Sequence, residues 1–397
     1  GNYSNLGLFR AAPGSGPAQT PERPVTIDPL GSYVAIVPQR VYDSRNGIGG
    51  GRRVPVGPGE RITIPISGVG AIPSSGVISV VLNATVTAAT SDSYITVWPT
   101  GRAQPSTSNL NPRPGRTVPN MVVVPLGSDG TVSLFNERGN GHVIIDAVGY
   151  CTQTSTDRLV ALSPSRILDT RNGVGAAAAK LGAASVIDLK VTGVGGVPSN
   201  GVSSVVLNVT ATSPDRESYL TLWPTGAERP NASSLNMMPG QTVPNLVFAT
   251  VGAQGKVSIF NAAGSTHVIA DVLGYFSPSG NDRFASVQPY RVLDTRSGLG
   301  AWGPVTRQPV SLSVPGLPAN ATALLLNVTA TDITSDTYVT VWPSGERQPD
   351  TSNLNVRADE TVANSVLCKV GSDGRIQLAN AFGSAHLIAD VIGYFVP

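Results

Sequence analysis

At 397 residues and a formal charge of +2, from 27 basic and 25 acidic side chains, the chain is too nearly neutral to read as a nucleic-acid or anionic-membrane binder. Its 44 glycines and 32 prolines, with only 13% charged residues, argue against long helices and for many short strands joined by turns. No apolar run approaches the ~20 residues that cross a bilayer. The sequence begins at Gly1 rather than Met. We therefore expect a signal peptide to have been removed and the protein to work outside the cell or on its surface.

Residues 1–31 match nothing downstream. Pro13, Pro17, Pro21 and Pro24 alternate with glycine, serine and alanine, the composition of an extended or disordered arm. Tyr3, Leu6, Leu8 and Phe9 give it apolar anchors. Such an arm either lies on a neighbouring domain or subunit, adding a strand to an open sheet edge, or folds back on its own chain.

From there the sequence repeats itself. RVYDSR begins at Arg40, RILDTR at Arg166 and RVLDTR at Arg291, a period of about 125 residues, too long for a solenoid unit and right for an independent domain. The units run 32–152, 157–277 and 282–397, with short polar linkers between them. The third copy is shorter, and the loss precedes Asn327, the counterpart of Asn83 and Asn208.

Each copy reads as strands and turns. Copy one opens with SYVAIVPQRVYDSR, whose proline keeps it off a central strand position. A glycine-rich loop follows, then RITIPISGV, GVISVVLNATVTA, YITVWP, SNLN, TVPNMVVVPLG, a GSDG turn, TVSLFN and finally HVIIDAVGYC. Seven or eight strands at this spacing predict an all-β fold: three tandem β-sandwich or barrel-like domains behind an N-terminal arm.

The closing strand recurs as HVIADVLGYF at 267–276 and HLIADVIGYF at 386–395, and it holds all three histidines. Val268, Ala270 and Val272 alternate with Ile269, Asp271 and Leu273, so both faces are apolar and the strand is buried on both sides. A carboxylate there needs a partner. The arginine motif supplies one, giving three ion-pair networks: Arg40, Asp43, Arg45 and Asp146; Arg166, Asp169, Arg171 and Asp271; Arg291, Asp294, Arg296 and Asp390. Each histidine is expected to cap its strand by bonding a carbonyl, since no second histidine or cysteine stands at metal-ligand spacing. No Gly-x-Ser-x-Gly elbow accompanies it. The GSDG turn loses its acid in copy two, GAQG at 252–255, which argues against calcium. We expect no catalytic residue, no metal and no cofactor.

Tyr94, Thr96 and Trp98 share one strand face, as do Tyr219, Thr221 and Trp223, and Tyr338, Thr340 and Trp342. That face packs against a core or a neighbouring domain, or else stacks on a sugar ring. Asn83, Asn208 and Asn327 head Asn-x-Thr triplets. As strand residues they are expected to bond neighbouring backbone. Cys151 and Cys368 stand at non-equivalent positions, so they do not form a repeated disulfide framework. They read as small buried side chains or as a link between copies or chains.

The combined motifs resemble a repeat of secreted and cell-surface proteins of actinobacteria and Chloroflexi, where it is an accessory module of undefined function appended to hydrolases or surface proteins. The resemblance spans about residues 33–397 and implies no particular ligand. We expect a non-enzymatic structural protein of a bacterial surface or filament that associates with itself through domain faces and the arm. A trivalent carbohydrate or cell-wall binder and an accessory subunit of another surface protein are the alternatives. Three domains about an axis would suit a cap or capsomer-like unit, and three in a row a fibre.

Overall fold

The computed structural model describes residues 29–397; the arm positions Tyr3, Leu6, Leu8 and Phe9 lie outside them. The first copy folds into β1 (Ser32–Asp43), β2 (Glu60–Pro65), β3 (Val77–Thr87), β4 (Ile95–Pro99), β5 (Val118–Pro125), β6 (Thr131–Asn136) and β7 (His142–Thr152). The second contributes β8 (Arg158–Asp169), β9 (Ser185–Lys190), β10 (Ser204–Thr212), β11 (Ser218–Pro224), β12 (Leu235–Met237), β13 (Thr242–Thr250), β14 (Lys256–Asn261) and β15 (His267–Ser277). The third contributes β16 (Arg283–Asp294), β17 (Val310–Ser313), β18 (Ala323–Thr331), β19 (Thr337–Pro343), β20 (Leu354–Val356), β21 (Val362–Lys369), β22 (Arg375–Asn380) and β23 (His386–Val396). The helical structure among the described residues is one 3₁₀ turn, Ala253–Gly255.

All pairings are antiparallel. In the second copy the sheets are β13-β10-β15-β8 and β12-β11-β14-β9. Successive strands therefore alternate between the two sheets, except the fourth and fifth, which pair as a hairpin. That is the jelly-roll arrangement. The third copy repeats it as β16-β23-β18-β21 and β17-β22-β19-β20, and the first as β1-β7-β3-β5 and β2-β6-β4. In the first copy Leu110 bridges to Ile95 where the others have β12 and β20.

Period-2 alternation explains the layers. Along β10, Val205, Leu207, Val209 and Ala211 enter the core of their own sandwich. Val206 on the opposite face joins a second apolar cluster instead, with Val81, Met121, Val123, Phe248, Phe276, Leu325, Leu367 and Phe395. This cluster draws on all three copies, so one sheet of each sandwich turns its back to a common junction. The molecule thus has three private cores and one shared core, and the closing strands are apolar on both faces because they wall two of them.

The proline in each opening strand sits where the ladder to the closing strand is interrupted. Pro38 lies between Ala35 and Gln39, and Pro289 between Ser286 and Tyr290. Proline has no N–H to give, which confines it to such edge positions. These strands also meet one another at one end of the junction. Gly31 exchanges backbone bonds with Phe284, Leu159 does so with Asp282, and Tyr33 N–H donates to the Asp157 carbonyl. The glycine of each Gly-Tyr pair admits the side chain that opens the strand: a Cβ at Gly149 would fall 2.2 Å from the Tyr33 hydroxyl, and one at Gly393 2.4 Å from the Phe284 ring.

Candidate functional site

The recurring polar residues converge on the junction. Arg40, Asp146 and Asn83 are successive cross-strand neighbours on β1, β7 and β3. Arg166, Asp271 and Asn208 form the same row in the second sandwich, and Arg291, Asp390 and Asn327 in the third. Each arginine grips its aspartate with two bonds. The Nε distances are 2.9, 2.9 and 2.8 Å, and the Nη2 distances 3.2, 3.3 and 3.3 Å. Burial is the largest influence on Asp146, Asp271 and Asp390 and pushes their carboxyls up, against the pull of the arginines. The second aspartate of each motif behaves differently. Asp169 takes the Arg171 guanidinium at 2.9 and 2.7 Å and its backbone N–H at 3.0 Å. These bonds hold its carboxyl below the usual range. Asp43 with Arg45, and Asp294 with Arg296, repeat the clasp. There burial works to raise the carboxyl and the arginine bonds outweigh it.

The asparagines then join the sandwiches in a cycle. Asn83 Nδ2 donates to the Ser233 carbonyl, Asn208 to Ser352 and Asn327 to Ser108, at 2.6, 2.6 and 2.7 Å. The acceptors lie in the second, third and first copies respectively. A second asparagine returns the contact. Asn245 donates to Asn83 Oδ1, Asn364 to Asn208 and Asn120 to Asn327, at 3.0, 3.3 and 2.9 Å. Six equivalent bonds passing from one to two, two to three and three to one define a pseudo-threefold axis. The sequence had pointed these asparagines at backbone, but it carried no sign that the backbone belongs to another copy. The other half of the contact lies in the Thr-Val-x-Asn motifs and in Ser-Asn-Leu-Asn, which is Ser-Ser-Leu-Asn in copy two.

The histidines differ from expectation. Each ring bonds a hydroxyl, not a carbonyl: His142 Nδ1 lies 3.0 Å from Ser44 Oγ, His267 Nδ1 3.0 Å from Thr170 Oγ1, and His386 Nδ1 2.8 Å from Thr295 Oγ1. The same hydroxyl accepts the N–H of the residue after the histidine. The serine or threonine between the Asp and Arg of each arginine motif thus fastens that motif to the closing strand.

In the aromatic stripe the tryptophans and threonines take the packing alternative. Trp98, Trp223 and Trp342 are buried, as are Thr96, Thr221 and Thr340, beneath the loop that follows their own strand. Trp98 Nε1 donates to the Arg102 carbonyl, Thr96 Oγ1 to that of Thr107, and Asn109 Oδ1 accepts the Val97 N–H. The other copies repeat these bonds. Indoles roofed by their own loop offer no face to a sugar. The tyrosines stand apart from them: Tyr94 and Tyr338 line grooves between adjacent sandwiches. The two grooves share lining residues with a cavity of about 90 Å³ to which all three copies contribute, among them Thr117, Thr242 and Thr361. This cavity lies on the axis, at the end away from the Gly31 and Phe284 bridge.

Both cysteines are free and buried. Cys368 belongs to the third private core and Cys151 to the shared one; burial pushes the Cys151 thiol up to about 11. Cys151 stands opposite Tyr33, where the other copies pair Leu159 with Phe276 and Phe284 with Phe395. The smaller residue of copy one is therefore matched by a larger neighbour. Among the described residues, no three His, Cys, Asp or Glu side chains gather as a metal-ligand set, and no helix is long and apolar enough to cross a membrane.

Three jelly rolls around one axis is the class of architecture these contacts define. No protein-family model matches the chain, and no curated protein matches it. Among solved structures, a chain of Sulfolobus turreted icosahedral virus aligns at 9% identity over 85% of this chain and 84% of its own, with a TM-score of 0.18. A second, from work on the triple jelly-roll fold and turret assembly of an archaeal virus, aligns at 10% identity over 92% and 89%, with a TM-score of 0.17. Alignments this loose do not bear on function. The assignment of the fold rests on the strand order.

Proposed function

We propose that the protein is a non-enzymatic structural subunit that assembles with copies of itself at a bacterial cell surface, using its N-terminal arm. One observation carries this reading: the recurring motifs are spent on closing three sandwiches into a single trigonal block. The aspartates and asparagines of these motifs are buried and, Asn245 Oδ1 apart, their polar atoms are taken up by the ion pairs and the cycle, which suits building material rather than catalysis. The resemblance to secreted surface repeats supports the extracellular setting.

Deleting residues 1–28 tests the reading. The deletion stops there because Leu30 packs against the third core and Gly31 pairs with Phe284. Electron microscopy of native protein should show ordered assemblies, and the shortened chain should remain as single blocks. Identical assemblies from both would sink the proposal.

A further inference from the structure

The two ends of the pseudo-threefold axis are not alike. β1 starts at Ser32 beside Thr152 and runs to Asp43 beside Ile144, so the chain before it enters at the end where the opening strands bridge. The opposite end carries the axial cavity, the grooves and five exposed large apolar side chains on its loops: Ile48, Val54, Val174, Trp302 and Phe382. Two of these have no counterpart in the repeat. Trp302 is 75% exposed and stands in a loop that is alanine-rich in copy two. Phe382 is 53% exposed and replaces Arg138 and Ala263. Neither belongs to a core: Phe382 gives Tyr338 the ring that Phe135 and Phe260 give Tyr94 and Tyr219, where copy three has Ala379, and Trp302 lies over Gly298, yet both keep more than half of their surface exposed.

Phe382 forms an aromatic corner with Tyr338, ring centroids 5.9 Å apart at 81°. The corner opens on a groove of about 300 Å³ walled by Asp336 and Arg357 and, across the seam, by Gln241 of the second sandwich. Grooves lined by aromatic rings take proline-rich segments in the extended polyproline form. The arm supplies such a segment, Pro13–Pro24, with Glu22 and Arg23 between its last two prolines to face Arg357 and Asp336. Its anchors Tyr3, Leu6, Leu8 and Phe9 match the other exposed apolar side chains on the loops at this end of the block.

We infer that this end of the block is the receptor for the arm of a second copy, with Pro13–Pro24 seated in the Tyr338–Phe382 groove. The inference rests on the assembly reading above and gives it a direction. An arm leaving one axial end and a receptor at the other make a head-to-tail contact, which does not close on itself and yields an open filament. At ~3.3 Å per strand residue the two ends are about 30 Å apart. An arm turned back along its own block would therefore have to reverse that distance, and would leave a single molecule.

The test uses the full chain. Sedimentation and negative-stain microscopy should show filaments one block wide. Phe382→Ala and Trp302→Ala should each raise the concentration at which filaments appear by about tenfold or more, the loss of one apolar anchor being worth a factor of that order. Each variant's thermal unfolding, measured alongside, separates lost docking from the lost contact with Tyr338 or Gly298: its single blocks should stay folded at the assay temperature. An excess of a synthetic peptide of residues 1–28 should shorten the filaments. If both variants assemble at the native concentration while removal of residues 1–28 abolishes filaments, the arm docks elsewhere: the inference falls and the assembly reading stands. If removal of the arm changes nothing, or the native chain stays a single molecule, both fall.

Discussion

Arg166 and Asp271 illustrate how one side chain can hold two levels of structure. Asp271 is 1% exposed, and its carboxylate is tolerable there because the Arg166 guanidinium meets it with two bonds. Removing one member of a buried pair strands the other, at about 3–5 kcal/mol, whereas replacing both with apolar groups of similar size is often nearly neutral. Arg166→Ala is accordingly expected to lower stability by about that amount, and Arg166→Met with Asp271→Leu by far less. Urea denaturation of the singles and the double would read it. A loss below ~1 kcal/mol for Arg166→Ala, the range of an exposed pair, would show the aspartate to be solvated. This pairing is legible in the sequence, since a charge on a strand apolar on both faces demands a partner. The choice of a hydroxyl by His267 is not, because it depends on Thr170 lying beside the first residues of β15 once the sheet has formed.

The unit at the next scale is the pair formed by an opening and a closing strand. Tyr33 fills the space over Gly149 and donates to the Val148 carbonyl at 3.0 Å. Every atom that a Cβ at Gly149 would meet within 2.4 Å belongs to the Tyr33 side chain. Gly149→Ala should therefore cost about 1–3 kcal/mol, the usual range for overpacking. Tyr33→Leu, the residue the second copy uses at Leu159, should recover much of that loss in the double variant. Failure of the double to exceed the single in thermal stability would place the strain in the backbone instead. The strands themselves were readable from alternation and turn residues, and the prolines correctly marked edges. What escaped was the roof over each tryptophan: alternation puts Trp98 on the face away from the private core, but cannot tell that residues 102–109 fold back across it.

For the whole molecule, the decisive feature is the fourth core, which no copy can build alone. Phe276 of the second sandwich lies 4.5 Å from the Tyr33 ring of the first and 6.4 Å from the Phe395 ring of the third. The asparagine cycle adds buried bonds whose partners are 144 to 219 residues apart. Such pairs cannot be inferred from one sequence, because every copy carries the same motif and nothing local says which copy answers it. Three independent domains on short linkers would melt separately, and a lesion in one would leave the others unmoved. Three sandwiches sharing a core should melt as one. Calorimetry is expected to give a single transition whose van't Hoff and calorimetric enthalpies agree. Phe276→Ala should cost about 3–5 kcal/mol, as for other buried aromatics, and displace that whole transition rather than split off a part. A separate low-temperature peak in the variant would mean that the private cores hold alone and that the junction is only a contact between finished domains.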